Sequence, residues 1–371
     1  MNKRLCWCGN ETVIPFSNEY VRCSECGTLI SVVGLTDEQL KVENDDDAFY
    51  GKQYWLEHQS KDLGFPNIFE RSRNDLVDRN LHWLKTLLKY KRPPSKVLEL
   101  GCSHGSFVAM LGHAGYDAAG MEMSPWVVEF ARETFDIPVF VGPIETVELE
   151  NSTYDVLALM DVMEHLPDPV GTLRRALDLL KPDGILLIQT PQFREEMNYQ
   201  MLVETSGAFL EQFKSDEHLY LFTKDSAARL FRQLGAEYIQ FEQPIFHQYD
   251  MFFVVSRQPI QQLEPAEAAP PLESPDGRFI QALLDQSARI QKLESDVMII
   301  DADRRLRIDK LEELDQYLKT VDAEGAARLE LIEELQGHVS IVDADRQDRL
   351  EQIHTLTKMI HDLNDAAKNK N

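Results

Sequence analysis

The period of the apolar positions changes along the chain, and each change predicts a different element. Between residues 70 and 90, Leu76, Leu81, Leu84, Leu87 and Leu88 recur at helical spacing, and Pro93-Pro94 stops the helix. From 96 to about 257, short apolar runs alternate with helix-like segments. The runs predict strands at Lys96–Leu100, Asp117–Met121, Val139–Val141, Asp155–Met160, Ile185–Gln189, Tyr238–Phe241 and Met251–Ser256. Ser124-Pro125 predicts a helix start, a capping hydroxyl followed by proline at the first helical position, and Gly115 predicts a helix end. Strands alternating with helices imply an α/β fold, a largely parallel sheet with helices on both faces.

Residues 258–277 hold Pro259, Pro265, Pro270, Pro271 and Pro275 and read as an extended linker. From 278 to 371 the chain contains no proline and reads as helix. This tail repeats itself. Ile300-Asp301-Ala302-Asp303 returns as Val321-Asp322-Ala323-Glu324 and as Val342-Asp343-Ala344-Asp345. Arg307, Arg328 and Arg349 recur in phase, as do Leu311, Ile332 and Ile353. The spacing of 21 residues is three heptads, and apolar residues fall on average every ~3.5 residues, the period of a coiled coil. Arg304, Gly325 and Arg346 interrupt the stripe. A lone helix would leave the stripe wet, so the expectation is a homo-oligomer joined through this rod, roughly 100 Å long.

Composition narrows the function. The 371 residues carry a net charge of −25, which argues against coating nucleic acid or an anionic membrane, since phosphate binding needs clustered cations. No run of about 18 apolar residues offers a membrane span, and no apolar stretch follows Met1-Asn2-Lys3-Arg4, so a cytoplasmic protein is expected. Four of the five cysteines, Cys6, Cys8, Cys23 and Cys26, form C-x-C and C-x-x-C pairs within the first 26 residues. Two close pairs on opposed turns present four thiolates to one tetrahedral Zn²⁺, and a reducing compartment disfavours two disulfides. Residues 1–35 therefore read as a zinc ribbon with a closed, structural site. Residues 36–48 are polar and acidic, a loop or linker. Phe49-Tyr50-Gly51-Lys52-Gln53-Tyr54-Trp55 opens an aromatic lid and entry helix that runs to 95.

In the central segment, Val97-Leu98-Glu99-Leu100-Gly101-Cys102-Ser103-His104-Gly105 is an apolar strand running into a glycine-bearing turn and then a helix. Glu122 ends the second strand, where a carboxylate can accept hydrogen bonds from ribose hydroxyls. A dinucleotide fold shares that acid, but its turn is G-x-G-x-x-G, whereas this one is G-x-x-x-G. Two more runs follow: Tyr154-Asp155-Val156 leading to Met160-Asp161-Val162-Met163-Glu164-His165-Leu166-Pro167-Asp168-Pro169, and Leu180-Lys181-Pro182-Asp183-Gly184-Ile185-Leu186-Leu187-Ile188-Gln189-Thr190-Pro191. With these motifs in order, residues 96–257 resemble the class I S-adenosylmethionine-dependent methyltransferases. The resemblance implies a Rossmann-like seven-stranded sheet with its last strand antiparallel. It also implies that Glu99, Gly101, Ser103 and Gly105 belong to the cofactor loop and that Glu122 holds the ribose. Met123 would pack on adenine, Ile144 and Glu145 would cover its edge, and Met160 would sit under the sulfonium.

A narrower likeness comes from the ribbon, the aromatic patch and Glu217-His218-Leu219-Tyr220-Leu221-Phe222-Thr223. Nucleotide-sugar C-methyltransferases are similar in having an N-terminal four-cysteine zinc site and a Tyr-x-Glu-His signature. Here Ser215 stands where that tyrosine would be, and the long C-terminal domain of those enzymes is replaced by the repeat tail. Shorter O-methyltransferases, including the ubiquinone-biosynthesis type, match the central motifs as well. The expectation is O-methylation of a sugar, glycan or other small hydroxylated acceptor, with His218, His165 and Glu217 as the catalytic candidates. The competing readings are C- or N-methylation of a nucleotide sugar, and a non-catalytic assembly scaffold on a degenerate methyltransferase fold.

Overall fold

The computed structural model describes residues 4–40, 42, 45–46, 48–62, 64–263 and 274–368. It divides into two units, residues 1–289 and 290–371.

The first unit is built on a seven-stranded sheet. Its strands are β4 (Lys96–Leu100), β5 (Asp117–Glu122), β6 (Val139–Val141), β7 (Tyr154–Met160), β8 (Leu180–Pro191), β10 (Tyr238–Glu242) and β11 (Asp250–Ser256). Their spatial order is β10-β11-β8-β7-β4-β5-β6. β6, β5, β4, β7 and β8 pair in parallel, while β11 runs antiparallel to both β8 and β10. The central strands are mostly apolar because helices cover both faces, and Val97, Leu98, Val156, Leu157, Leu186 and Leu187 are fully buried. From β4 the chain winds outward through β5 to β6, then returns to β7 on the other side of β4. That reversal opens a crevice at the carboxyl ends of β4, β5 and β7, the place where open α/β sheets take their ligands.

Three contiguous helical stretches, Ile68–Asp75, Leu76–Asn80 and Leu81–Leu87, realise the helix expected from the leucine spacing. Leu81, Leu84 and Leu87 bury against Phe107 and Phe252 in one core cluster. The aromatic patch enters the helix Tyr54–Asp62, wound as a π-helix, and packs Tyr54 and Trp55 with Ile68 and Val127.

The cysteine segment forms a second sheet: β1 (Val13–Pro15), β2 (Tyr20–Cys23) and β3 (Leu29–Ser31), closed by β9 (Tyr220–Leu221), all antiparallel. The fourth strand comes from the distant Glu217–Thr223 motif, a pairing that no local pattern announces.

Of the expected linker, residues 264–273, with Pro265, Pro270 and Pro271, lie outside the described residues. Gln258–Leu263 packs against the first unit, where Leu263 N donates to Lys89 O at 2.8 Å and Gln262 Nε2 to Tyr90 Oη at 3.1 Å. Pro275 is the first residue of a helix, Pro275–Lys368, capped by Ser274, whose Oγ accepts from Gly277 N at 2.9 Å. Ile280 of its first turns is buried in the cluster that holds Leu84 and Phe252.

The second unit is the remainder of that helix. Its apolar residues keep a 3–4 spacing in phase from Ile290 to Leu363, and these side chains are exposed. Every third heptad places polar or small residues on the stripe: Arg304 and Arg307, Gly325 and Arg328, Arg346 and Arg349. Ion pairs one turn apart recur with the repeat, Arg307–Asp303 at 2.8 Å, Arg328–Glu324 at 3.6 Å and Arg349–Asp345 at 2.9 Å. Among the described residues, no helix is long and apolar enough to cross a membrane.

Candidate active site

The turn after β4 departs from ordinary backbone at three residues. Gly101, Ser103 and Gly105 take φ of 65°, 48° and 78°. A Cβ on Gly101 would lie 2.7 Å from Val162 Cγ2, and one on Gly105 would lie 2.4 Å from Ile137 Cδ1. The glycines are therefore required by the loop's own neighbours as well as by its curvature.

Glu122, at the end of β5, ties this turn to the next. Its Oε2 accepts from Ser103 N at 3.1 Å, and its Oε1 from Met123 N at 2.8 Å and Ser124 N at 3.2 Å. Burial raises its pKa against the pull of those N–H groups. Glu99 is buried beneath it and pushed well up by burial and by Glu122.

Three fully enclosed side-chain atoms among the described residues have no partner: Glu99 Oε2, Ser103 Oγ and Glu164 Oε1. All three belong to the motifs that meet at the crevice. Leaving such atoms unpaired costs about 1–3 kcal/mol each, so they point to a ligand carrying hydrogen-bond donors. The amine and ribose hydroxyls of S-adenosylmethionine fit that requirement, and Glu99, Ser103 and Glu122 would hold them.

The other expected cofactor residues vary in burial. Ile144 is buried in the main core and Met160 in the cluster with Trp83 and Phe107. Glu145 is exposed and accepts from Thr172 Oγ1. Met123 is half-buried beside Glu122. His104, in the turn after β4, is buried, with Nε2 3.1 Å from Asp75 Oδ2. Asp45, read as part of a linker, accepts from Ser124 Oγ at 2.6 Å and Trp126 N at 2.7 Å, capping the helix Pro125–Phe135 beside Glu122.

The predicted catalytic residues do come together. His165 follows β7 and His218 precedes β9, and their rings meet edge to face at 4.8 Å. His218 Nδ1 lies 2.8 Å from Gln212 O. A carbonyl can only accept, so Nδ1 carries the proton and Nε2 the free lone pair. His165 Nδ1 faces Tyr50 Oη at 3.0 Å, and its Nε2 is 3.9 Å from Glu164 Oε1. Thr190 Oγ1 donates to the other Glu164 oxygen at 2.9 Å. One donor atom each from Glu164, His165 and His218 lies within 4.8 Å of the others, a spacing that could hold a cation.

Glu217 is buried and bridges the lid. Tyr54 Oη donates to its Oε2 at 2.7 Å, and His58 Nε2 sits 3.3 Å from its Oε1. Burial holds His218 well below the ordinary histidine value, and His165 and Lys214 push it further. Burial lowers His165 too, and raises Glu164 and Asp250 with help from Asp161. The site thus offers neutral imidazoles among acids, and tyrosines whose pKa burial pushes well up, so they stay hydroxyl donors. Tyr50, Tyr54, His58 and Lys214 had not been singled out as site residues. The aromatic patch was the only sign of the first two, because the residues that meet here are over 100 positions apart.

In the ribbon, the sulfur of Cys6 lies 3.4 Å from that of Cys26 and 3.5 Å from that of Cys8, and Cys8 and Cys23 sulfurs are 3.7 Å apart. A tetrahedral Zn²⁺ with bonds of about 2.3 Å sets its thiolates about 3.8 Å apart, so the four donors fit it.

Residues 70–240 match a family described as a methyltransferase domain. The head has a methyltransferase fold. The chain is 34 % identical over 101 residues to the ubiquinone biosynthesis O-methyltransferase of Vibrio parahaemolyticus, covering 26 % of this chain and 43 % of that one. It is 28 % identical over 104 residues to the enzyme of that name from Xanthomonas campestris, covering 26 % and 44 %. The matches thus span less than half the length of these curated relatives. Among solved structures, a SAM-dependent methyltransferase of Thermotoga maritima is 20 % identical, with a TM-score of 0.39 over 52 % of this chain and 96 % of that one.

Proposed function

We propose that this chain is an S-adenosylmethionine-dependent methyltransferase acting on a hydroxyl of a small, hydroxyl-rich acceptor, a sugar or glycan unit, with His218 as the base. The observation that carries the reading is the fixed tautomer of His218. Its Nδ1–H is spent on Gln212 O, and Nε2 is left as a proton acceptor on a buried ring. The O-methyltransferase names of the curated relatives support transfer to oxygen.

S-adenosylmethionine supplies an activated methyl group on its sulfonium. The protein's share is to hold the acceptor in line and to take its proton, and proximity supplies much of the rate. His218 Nε2 takes the hydroxyl proton, and a base of this kind contributes about 10²–10⁴-fold. His165, held by Tyr50, packs edge to face against the His218 ring and fixes its orientation. Glu217 aligns Tyr54 and His58. Asp161, Glu164 and Asp250 couple electrostatically, burial raises the last two, and the unpartnered Glu164 Oε1 offers a polar contact to a hydroxyl-bearing acceptor. A degenerate scaffold would have no need of three unpartnered buried atoms around an intact cofactor turn.

The test is S-adenosylhomocysteine release with a panel of nucleotide-activated hexoses, free disaccharides and 3,4-dihydroxybenzoate. Turnover of a sugar, lost at least about 100-fold in His218→Asn at unchanged S-adenosylmethionine affinity, is the expected result. Full turnover in His218→Asn overturns the base assignment, and a preference for the catechol overturns the sugar.

A further inference from the structure

The loop that carries Glu217 and His218 is gripped by the ribbon more than by the methyltransferase domain. β3 pairs with β9, with Leu29 opposite Leu221 and Ile30 opposite Tyr220. Ser31 N continues the ladder by donating to Leu219 O at 3.0 Å. Two buried ribbon side chains then reach the loop's carbonyls. Tyr20 Oη donates to His218 O at 3.0 Å, and Ser31 Oγ donates to Ser215 O at 2.6 Å while accepting from Gly34 N at 2.8 Å. In return, Tyr220 Oη donates to Leu5 O at 2.9 Å, next to Cys6. On the other side, Leu219 N donates to Glu164 O at 2.8 Å, and Phe193 N donates to Phe222 O at 2.9 Å.

Gly34 shows how close the approach is. A Cβ there would lie 2.9 Å from the Ser215 carbonyl oxygen and 2.8 Å from Leu219 Cδ2. The first of these is backbone and cannot swing aside. The cofactor turn, by contrast, is held by Glu122, Val162 and Ile137. Cysteine geometry thus bears on the acceptor side of the site and not on the cofactor side. The ribbon is three short strands, too few to hold a shape without a staple. The four thiols supply it when they share an ion.

We propose that the cysteine ribbon positions the base: through Tyr20, Ser31 and the β3–β9 ladder it fixes the 215–221 loop, so that metal in the four-thiol site governs methyl transfer without governing cofactor binding. This rests on the reading of His218 as base, and Tyr20, Ser31 and Gly34 are its positioning residues. The hydroxyl of Tyr20 and the bare Cα of Gly34 touch neither the reacting groups nor the cysteine sulfurs.

The experiment uses the full chain, loaded with Zn²⁺, as wild type, Tyr20→Phe and Gly34→Ala. Four quantities are read: zinc per chain, calorimetric affinity for S-adenosylmethionine, the ring ¹³Cε1 resonance of His218 (assigned by its loss in His218→Asn), and S-adenosylhomocysteine release with a turned-over acceptor. Expected in both variants are zinc retained, cofactor affinity within twofold of wild type, a displaced His218 resonance, and kcat down tenfold or more with KM for S-adenosylmethionine unchanged. Stripping zinc from the wild type under reducing conditions should displace the same resonance at unchanged cofactor affinity. An unmoved His218 resonance in Gly34→Ala, in Tyr20→Phe and in the stripped protein overturns the proposal. So does loss of cofactor affinity in step with zinc, which would make the ribbon a general stabiliser. Failure of the base assignment is read separately, as full turnover in His218→Asn, because the resonance and affinity measurements do not depend on turnover.

Discussion

Glu122 and His218 are where single side chains have the largest expected effects. Glu122 accepts from three backbone N–H groups and stands where the ribose would bind. Hydrogen bonds to a charged acceptor are worth about 1.5–3 kcal/mol each, so Glu122→Ala should weaken S-adenosylmethionine affinity at least tenfold by calorimetry. Gly101→Val is a poorer probe, since its side chain would strike Val162 before meeting a ligand. His165 and His218 have native pKa values below the ordinary histidine value of about 6.5. A base held neutral in this way stays competent on the acid side, so the acid limb of the pH–rate profile should fall below about 6.5. Stability carries the same sign. A histidine with a depressed native pKa contributes stability that is present above the unfolded value and lost as pH falls through the native one. Buried Glu99, Glu122, Glu164 and Asp250, all raised, act in the opposite direction, so total Tm mixes the two. The clean measure is the Tm of wild type minus that of His218→Asn, which should shrink as pH is lowered from about 6.5 toward 5.

Elements differ in how openly the sequence declares them. The strands β4, β6, β7 and β11 fall within a residue of the apolar runs that predict them, because strands covered by helices are mostly apolar. The cysteine pairs were equally open, since thiolate geometry demands short spacings. What the sequence hid is non-local. The edge partner of β3 comes from Tyr220–Leu221, nearly 200 residues on, and nothing in a two-residue strand marks its neighbour. Asp45 capping a distant helix, and Tyr54 meeting Glu217, are invisible for the same reason. For the ribbon as an element, elemental analysis should return about one Zn²⁺ per chain in wild type and none in Cys23→Ser. A residual ion in Cys23→Ser would instead belong to Glu164, His165 and His218. A metal-free, reductant-sensitive ribbon would mean disulfides.

At the level of the whole molecule, the exposed heptad stripe of the tail predicts self-association. Light scattering on the full chain should report a dimer or trimer, and on a chain ended at Arg289 a monomer. The cut belongs there because Ile280 is buried in the first unit's core, and an earlier stop would uncover that cluster. Two monomers would leave the stripe for a different partner. An oligomer would present several sites to one polymeric acceptor and so raise the effective concentration of each. The repeat also has a counting property. Because its interruptions return every 21 residues, sliding one helix along another by that step, about 31 Å, lays arginine layers on arginine layers again. Any smaller slide sets guanidinium groups against leucine and isoleucine. Lengths are thus interchangeable without penalty only in whole units: excising residues 304–324 keeps the heptad phase and should preserve association, whereas excising 10 or 11 residues breaks that phase and should weaken it, although the shorter cut removes less of the helix.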